Sequence, residues 1–160
     1  MKFFGRSGKI EEEQEDKTVL FVCVENSGRS QMAEAFFREY APKAYSAFSA
    51  GTEPSSEVNP LAIEVMREYA IDISKQRPKI ISEDMIISED MIIGADIRVN
   101  MGCMDRNSCP TLFIHNLIEW GIEDPKGKPI EKVREIRDNI EQRVRQLAAD
   151  LVKDNPKINN

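Results

Sequence analysis

The feature that most constrains this chain is an apolar run that leads through a short polar loop into a helical pattern. Residues 18–23 are almost continuously apolar, which is typical of a strand buried on both faces of a parallel sheet. A polar loop follows at 24–30, and from Gln31 onward the apolar residues recur with the spacing of an amphipathic helix. A strand, a loop and a helix in this order predict an α/β fold with a parallel sheet.

The rest of the chain continues this alternation. Three further strands are predicted, at 45–50, 95–101 and 111–114. Residues 115–129 are assigned mostly to a loop. A helix is expected where Asn59 can cap the first turn and Pro60 can begin it. Its predicted apolar face consists of Leu61, Val65 and Tyr69, flanked by Ala62 and Met66. A long helix is expected from Pro129, and its apolar stripe comprises Ile130, Val133, Ile136, Ile140, Val144, Leu147 and Leu151.

The hexapeptide Ile-Ile-Ser-Glu-Asp-Met occurs twice in tandem, at 80–85 and 86–91. This period is far too short for a repeat fold. The segment is predicted either as one helix with a duplicated stretch or as a short helix with an inserted turn. Because a shift of this length rotates a helix by about 600°, the two copies cannot present the same face, and one is expected to bulge or be exposed.

Composition and cysteine content narrow the class of protein. The chain has 160 residues and a net charge of -6, which suits one domain and argues against nucleic acid as a partner. A polar tail is predicted at 1–16, a single domain at 17–153 and a short tail at 154–160. No apolar stretch is long enough to span a membrane, and an odd number of cysteines does not suggest a secreted disulfide framework, so a cytoplasmic protein is expected.

The polar loop is a candidate oxyanion site. Such a loop can turn its backbone N–H groups toward one anion, and the N-terminus of the following helix adds positive charge. Arg29 can donate to two oxyanion oxygens, and this environment favours the nucleophilic thiolate of Cys23. Ser30 can donate to that thiolate, and Asn26 can brace the loop. The residues expected to bind the oxyanion are Val24, Glu25, Asn26, Ser27, Gly28, Arg29 and Ser30. Alternatively, Cys23 is only a small buried residue at a strand end.

Residues 22–34 read Val-Cys-Val-Glu-Asn-Ser-Gly-Arg-Ser-Gln-Met-Ala-Glu. This segment resembles the low-molecular-weight phosphotyrosine phosphatases, and among them the arsenate reductases of that fold. Further matching motifs lie at 49–52, 59–60, 71–74, 101–103, 109–110 and 120–125. The resemblance covers most of the chain and implies a four-stranded parallel sheet in the order 2-1-3-4, with helices on both faces.

The resemblance also implies roles for individual residues. Cys23 would attack arsenate, the loop amides and Arg29 would bind its oxygens, and Asp124 would protonate the departing oxygen. Reduction needs two electrons, which a pair of thiols can supply by forming a disulfide. By analogy, Cys103 would attack the arsenic adduct on Cys23 and release arsenite. Cys109 would then attack Cys103, leaving a disulfide for thioredoxin or a similar thiol reductant to reopen.

Other interpretations stay open. Asp124 could be only an Asp-Pro turn residue, and Cys103 and Cys109 could be unrelated free cysteines. A phosphatase acting on phosphotyrosine or on a small phosphoester would need only Cys23, Arg29 and Asp124. A non-catalytic oxyanion or redox sensor is a third possibility.

Several residues bear on the choice of substrate. Lys126 and Gly127 follow the Asp-Pro pair, where a phosphotyrosine phosphatase would need aromatic side chains to stack the ring. A carboxylate at Glu25 would oppose anion binding, so its side chain is expected to point outward. His115 is the only histidine and is expected to be structural or exposed, and no metal or cofactor is expected. The expected partners are arsenate or a phosphate-like oxyanion and a thiol reductant, with no nucleic acid and no membrane.

Overall fold

The computed structural model describes residues 17–81, 95–102 and 117–154. In this part of the chain the elements are, in order, β1 (Lys17–Cys23), α1 (Arg29–Tyr40), β2 (Tyr45–Gly51), α2 (Pro60–Arg67), β3 (Ala95–Asn100), β4 (Leu117–Glu119) and α3 (Ile130–Asp154). None of the helices in these three ranges is both long enough and apolar enough to cross a membrane.

The four strands form one parallel sheet in the order β2-β1-β3-β4. This confirms the predicted α/β fold and its strand order. Residues 19–23 of β1 are all buried, so side chains on both faces of this strand lie in the interior, which explains its continuous apolar sequence. Val19, Phe21 and Cys23 belong to the core that the described helices cover, and Leu20 and Val22, which alternate with them, are buried as well.

The carboxyl ends of β1, β2 and β3 meet at one edge of the sheet. Cys23 is paired with Gly51 of β2, and Val22 is paired with Asn100 of β3. The N–H of Met101 continues this edge by donating to the Val22 carbonyl at 2.8 Å. Parallel α/β sheets bind their ligands at the carboxyl ends of their strands, and the polar loop begins here.

The helices follow the predicted patterns closely. The Asn59 side chain caps α2 by accepting a hydrogen bond from the N–H of Leu61 at 2.9 Å, and Pro60 is the first helical residue. The long helix α3 packs on both α1 and α2. Its buried residues are Val133, Ile136, Arg137, Ile140, Val144, Leu147, Ala148 and Leu151. The predicted apolar stripe is therefore confirmed, and Arg137 is an unexpected member of it.

Two sequence-based predictions are wrong. A strand, β4, lies at Leu117–Glu119, inside the segment assigned to a loop. Three partly exposed residues at a sheet edge leave too short a pattern to detect, and the strand predicted at 111–114 falls outside the described residues. The second error concerns the centre of the apolar face of α2, because Val65 and the flanking Ala62 and Met66 are buried whereas Leu61 is only partly buried. Tyr69 is 39% exposed because α2 ends at Arg67, before helical spacing could turn this ring inward.

Most of the duplicated hexapeptide lies outside the described residues. Its first two residues are described, and they show how the segment begins. The N–H of Ile81 donates to the Gly51 carbonyl at 2.8 Å, and Ile81 is buried whereas Ile80 is 52% exposed. The packing proposed for the two copies stays a prediction, as do the tails at 1–16 and 154–160.

A polar network joins the end of α2 to α3. The guanidinium of Arg137 is 5% exposed and donates to the Val65 carbonyl at 2.9 Å and to Asp138 at 2.9 Å. It also pairs with Glu68 and lies 4.0 Å from the centroid of the Tyr69 ring. These hydrogen bonds to charged and backbone acceptors compensate for burying the cation in the stripe of α3.

Replacing Arg137 with alanine should lower the free energy of unfolding by about 2–3 kcal/mol, since the buried Val65 carbonyl loses its donor and two carboxylates each lose one of theirs. Urea denaturation of the variant measures this loss. The matched control is Arg143→Ala, because Arg143 lies on the same helix and contacts only the exposed Asn139 among the described hydrogen bonds. A loss no larger than that of the control would contradict a structural role for the buried guanidinium.

Candidate active site

The sulfur of Cys23 lies at the base of the polar loop and faces two hydrogen-bond donors. Cys23 is 2% exposed, and its Sγ atom accepts from the backbone N–H of Asn26 at 3.2 Å. The Ser30 hydroxyl lies 2.9 Å from Sγ and also accepts from Asn26 Nδ2 at 2.7 Å. Because Asn26 Nδ2 can only donate, the single hydroxyl proton of Ser30 is available to point at the sulfur. Two hydrogen-bond donors therefore converge on this one sulfur.

The carbonyl groups of residues 24–28 each accept a hydrogen bond from a group outside this stretch of the loop. Backbone N–H groups of Glu53, Ser55 and Asn59 donate to the carbonyls of Val24, Glu25 and Ser27, and the Gln31 side chain and the N–H of Met32 donate to those of Asn26 and Gly28. In a planar trans peptide the N–H points opposite to the carbonyl. The N–H groups of residues 25–29 are therefore turned toward the inside of the loop, as the Asn26 N–H demonstrates. This arrangement forms a backbone cradle for an anion.

Asn26 braces the cradle from within. It is fully buried and has a φ of 49°, a left-handed conformation that asparagine tolerates better than most residues. Its Oδ1 atom accepts from the Gln31 side chain at 3.0 Å and from the N–H of Lys79 at 2.8 Å. With Nδ2 on Ser30, this side chain connects the nucleophile, the first turn of α1 and the segment after α2.

Arg29 opens α1 with its guanidinium buried at the edge of the sheet. It is 3% exposed, and its Nη1 atom donates to the carbonyls of Met101 and Ile122 at 3.1 and 3.2 Å. Its Nη2 atom lies 3.7 Å from Oδ2 of Asp124. Gly102, at a φ of 111°, permits this placement, because a Cβ atom there would lie 3.0 Å from Nη1. The orientation of the guanidinium plane is thus set by two separate segments, residues 101–102 after β3 and residues 122–124 after β4.

Asp124 stands on a turn that leans against the loop. Its Oδ1 atom accepts from the N–H of Lys126 at 3.0 Å, and its side chain is 46% exposed. Pro125 packs over Gly28 so closely that a Cβ atom on Gly28 would lie 2.8 Å from Pro125 Cγ. The turn therefore presents one carboxylate at the rim of the cradle, where a general acid could reach a departing oxygen.

The electrostatics of the rim include one unexpected pair. Glu25, a residue of the loop itself, forms an ion pair of 2.6 Å with Lys126, and the two side chains are 30% and 68% exposed. The hydrogen bond and charge of Glu25 raise the pKa of Lys126 above its ordinary value.

A second charged pair comprises Glu34 of α1 and Lys79. Burial raises the pKa of Glu34 and lowers the pKa of Lys79. The positive charge of Lys79 limits the rise at Glu34, and the negative charge of Glu34 limits the fall at Lys79.

The structure thus brings together Cys23, Arg29, Asp124 and the loop residues 24–30. Cys103, Cys109 and His115 lie outside the described residues, so their predicted places are untested. Sequence reasoning missed the contribution of Gly51. A Cβ atom on Gly51 would lie 2.4 Å from the Val24 carbonyl oxygen and 2.9 Å from the Asn26 nitrogen, so β2 can approach the loop only with glycine at this position. The only clue to this role in the sequence is that a glycine directly follows the strand predicted at 45–50.

The model of the family described as low molecular weight phosphotyrosine protein phosphatase matches residues 18–157. The chain belongs to this family. An arsenate reductase of Brevibacillus brevis is 39% identical over 133 residues, which are 82% of this chain and 94% of that protein. The family resemblance inferred from residues 22–34 is therefore confirmed.

Solved structures of the family agree with this assignment. One, described as an arsenate reductase in the phosphate binding state, is 34% identical with a TM-score of 0.72, covering 84% of this chain and 98% of that one. A thioredoxin-dependent arsenate reductase from Corynebacterium glutamicum is 36% identical with a TM-score of 0.64, covering 82% of this chain and 59% of the other.

Replacing Gly51 with alanine should disrupt the cradle, because backbone atoms of Val24 and Asn26 cannot give way as a flexible side chain could. We expect a loss of about 2–4 kcal/mol in the free energy of unfolding and at least about tenfold weaker phosphate binding. Urea denaturation and calorimetric titration with inorganic phosphate measure the two effects. Gly121→Ala is the matched control, since a Cβ atom there meets no atom within 4 Å. Equal behaviour of both variants would contradict the proposed close contact.

Proposed function

We propose that this chain is an arsenate reductase in which Cys23 is the nucleophile. The observation that carries the proposal is the sulfur of Cys23, which faces two donors at the base of a cradle of inward-turned amides. Curated arsenate reductases support the choice of arsenate, because this chain matches them over nearly their whole length.

In the first step the thiolate of Cys23 attacks arsenic and one oxygen departs. The amides of residues 25–29 and the guanidinium of Arg29 compensate for the charge on the remaining oxygens. Hydroxide is a poor leaving group, so the departing oxygen needs a proton, which Asp124 can donate from the rim. The products of this step are water and an arsenic adduct joined to Cys23 by a sulfur–arsenic bond.

In the second step the adduct must receive an electron pair. A thiolate of Cys103 attacks the sulfur of Cys23, the sulfur–arsenic bond breaks, and its electrons stay on arsenic, which leaves as arsenite. Cys109 then attacks Cys103, which frees the Cys23 thiolate and leaves a disulfide between the other two cysteines. Two thiols are oxidised for each arsenate reduced. A thioredoxin-like dithiol of the cytoplasm would restore them.

A phosphatase is the second candidate function. Cys23, Arg29 and Asp124 are sufficient for attack on a phosphoester, and the name of the family model refers to this activity. Lys126 and Gly127 provide no aromatic surface for a phosphotyrosine ring, so a small or non-aromatic phosphoester would be the better substrate. An oxyanion or redox sensor would bind the anion without turning it over.

The deciding experiment is a coupled arsenate assay with thioredoxin and its reductase. The unmodified chain should reduce many equivalents of arsenate. Cys23→Ser should abolish turnover while keeping the fold, because only the nucleophile is lost. Cys109→Ser should allow at most about one turnover and leave any phosphatase side activity intact. Rapid release of phosphate from an aryl phosphate without arsenate turnover would replace the proposal by the phosphatase, and anion binding without either activity would replace it by the sensor.

Asp124→Asn tests the proton donor separately. The amide can still accept the Lys126 hydrogen bond, but it cannot supply a proton, so kcat for arsenate should fall by about 10²- to 10⁴-fold. Single-turnover measurement of adduct formation isolates the step. Asp72→Asn serves as the matched control, because the exposed Asp72 accepts from the N–H of Ser74, two residues on, as Asp124 does from that of Lys126. If kcat of Asp124→Asn stayed within about twofold of the unmodified value, Asp124 would be only a turn residue.

A further inference from the structure

The loop that would bind an anion carries a carboxylate of its own. Glu25 is the second residue after Cys23, and its backbone N–H is one of those turned inward. The guanidinium of Arg29 is the cation that the oxyanion would use, and it lies 3.7 Å from Asp124 at the rim. A charged Glu25 side chain adds a negative charge to the same rim, and this charge repels a dianionic oxyanion unless a cation compensates for it.

Lys126 supplies the compensating charge from the opposite side of the rim. Its Nζ atom lies 2.6 Å from Glu25 Oε1. Its backbone position is fixed by the same turn that presents Asp124, because the N–H of Lys126 donates to Asp124 Oδ1 at 3.0 Å. The same turn therefore carries both the Asp124 carboxylate and the lysine that pairs with Glu25.

We infer that Lys126 is a positioning residue that makes the loop competent to bind a dianionic oxyanion by neutralising the Glu25 carboxylate. The inference rests on the proposed function, since it concerns the same loop and substrate class. A purely structural salt bridge between the loop and the turn would behave differently, because loss of either Glu25 or Lys126 would then weaken anion binding equally. Under charge compensation, Lys126 is needed only while Glu25 keeps its charge.

The test is calorimetric titration with inorganic phosphate, which has the shape and charge of arsenate and is not reduced by thiols. Lys126→Ala should weaken phosphate binding by about three- to tenfold at low salt, because one uncompensated charge remains near the anion. Glu25→Gln should bind phosphate at least as tightly as the unmodified chain. The double variant Glu25→Gln with Lys126→Ala should return to within about twofold of the unmodified affinity. The deficit of Lys126→Ala should shrink at high salt, where screening is strong.

Lys128→Ala is the matched control, because Lys128 lies in the same segment and pairs with Glu123 at 3.5 Å instead of with the loop. It should bind phosphate normally. The inference is overturned if Lys126→Ala binds like the unmodified chain, if the double variant binds as weakly as Lys126→Ala, or if Glu25→Gln weakens binding as much. Since phosphate is bound and not reduced, these results are independent of arsenate turnover, which the coupled assay decides.

Discussion

The contact between the end of β2 and the anion loop is the constraint on which the rest of the site depends. Gly51 approaches the Val24 carbonyl more closely than any side chain would allow. The same approach lets the residues after β2 donate from outside to the carbonyls of Val24 and Glu25. Once those carbonyls are held outward, planar peptides leave the N–H groups no direction except inward. The cradle is thus a consequence of backbone packing, and side chains refine it.

Such a cradle requires many polar groups to be buried together, and each needs a partner. Asn26, Ser30 and Gln31 are all fully buried, and they satisfy one another and the backbone around them. Removing any one would leave donors or acceptors without partners in a region closed to water. The network is therefore in place before an anion arrives, so binding would require little reorganisation. This is the property that a site for a small, strongly hydrated oxyanion needs.

Much of the fold and part of the site could be predicted from the sequence, for identifiable reasons. β1 is recognisable because a strand buried on both faces must be continuously apolar, and Asn59-Pro60 is recognisable because capping is a local interaction. β4 could not be predicted, since three residues are too few to show a periodic pattern and their pairing with β3 depends on the tertiary structure. Arg137 and Lys126 were missed for the same reason. Each side chain acquires its role from a partner distant in sequence, Val65 or Glu25, which no local pattern reveals.

The burial of Cys23 places a requirement on the reduction step. A disulfide needs two Cα atoms within about 7 Å, and Cys23 is enclosed on its backbone side by the sheet and by α1. In the proposed reduction, a second thiol would therefore have to meet Sγ on the side where the loop amides converge, which is also where the oxyanion would bind. Attack on the adduct and release of arsenite would then take place on the same side of Cys23. A phosphatase makes no such demand, so the two chemistries differ in how the second thiol reaches Cys23 and share the cradle itself.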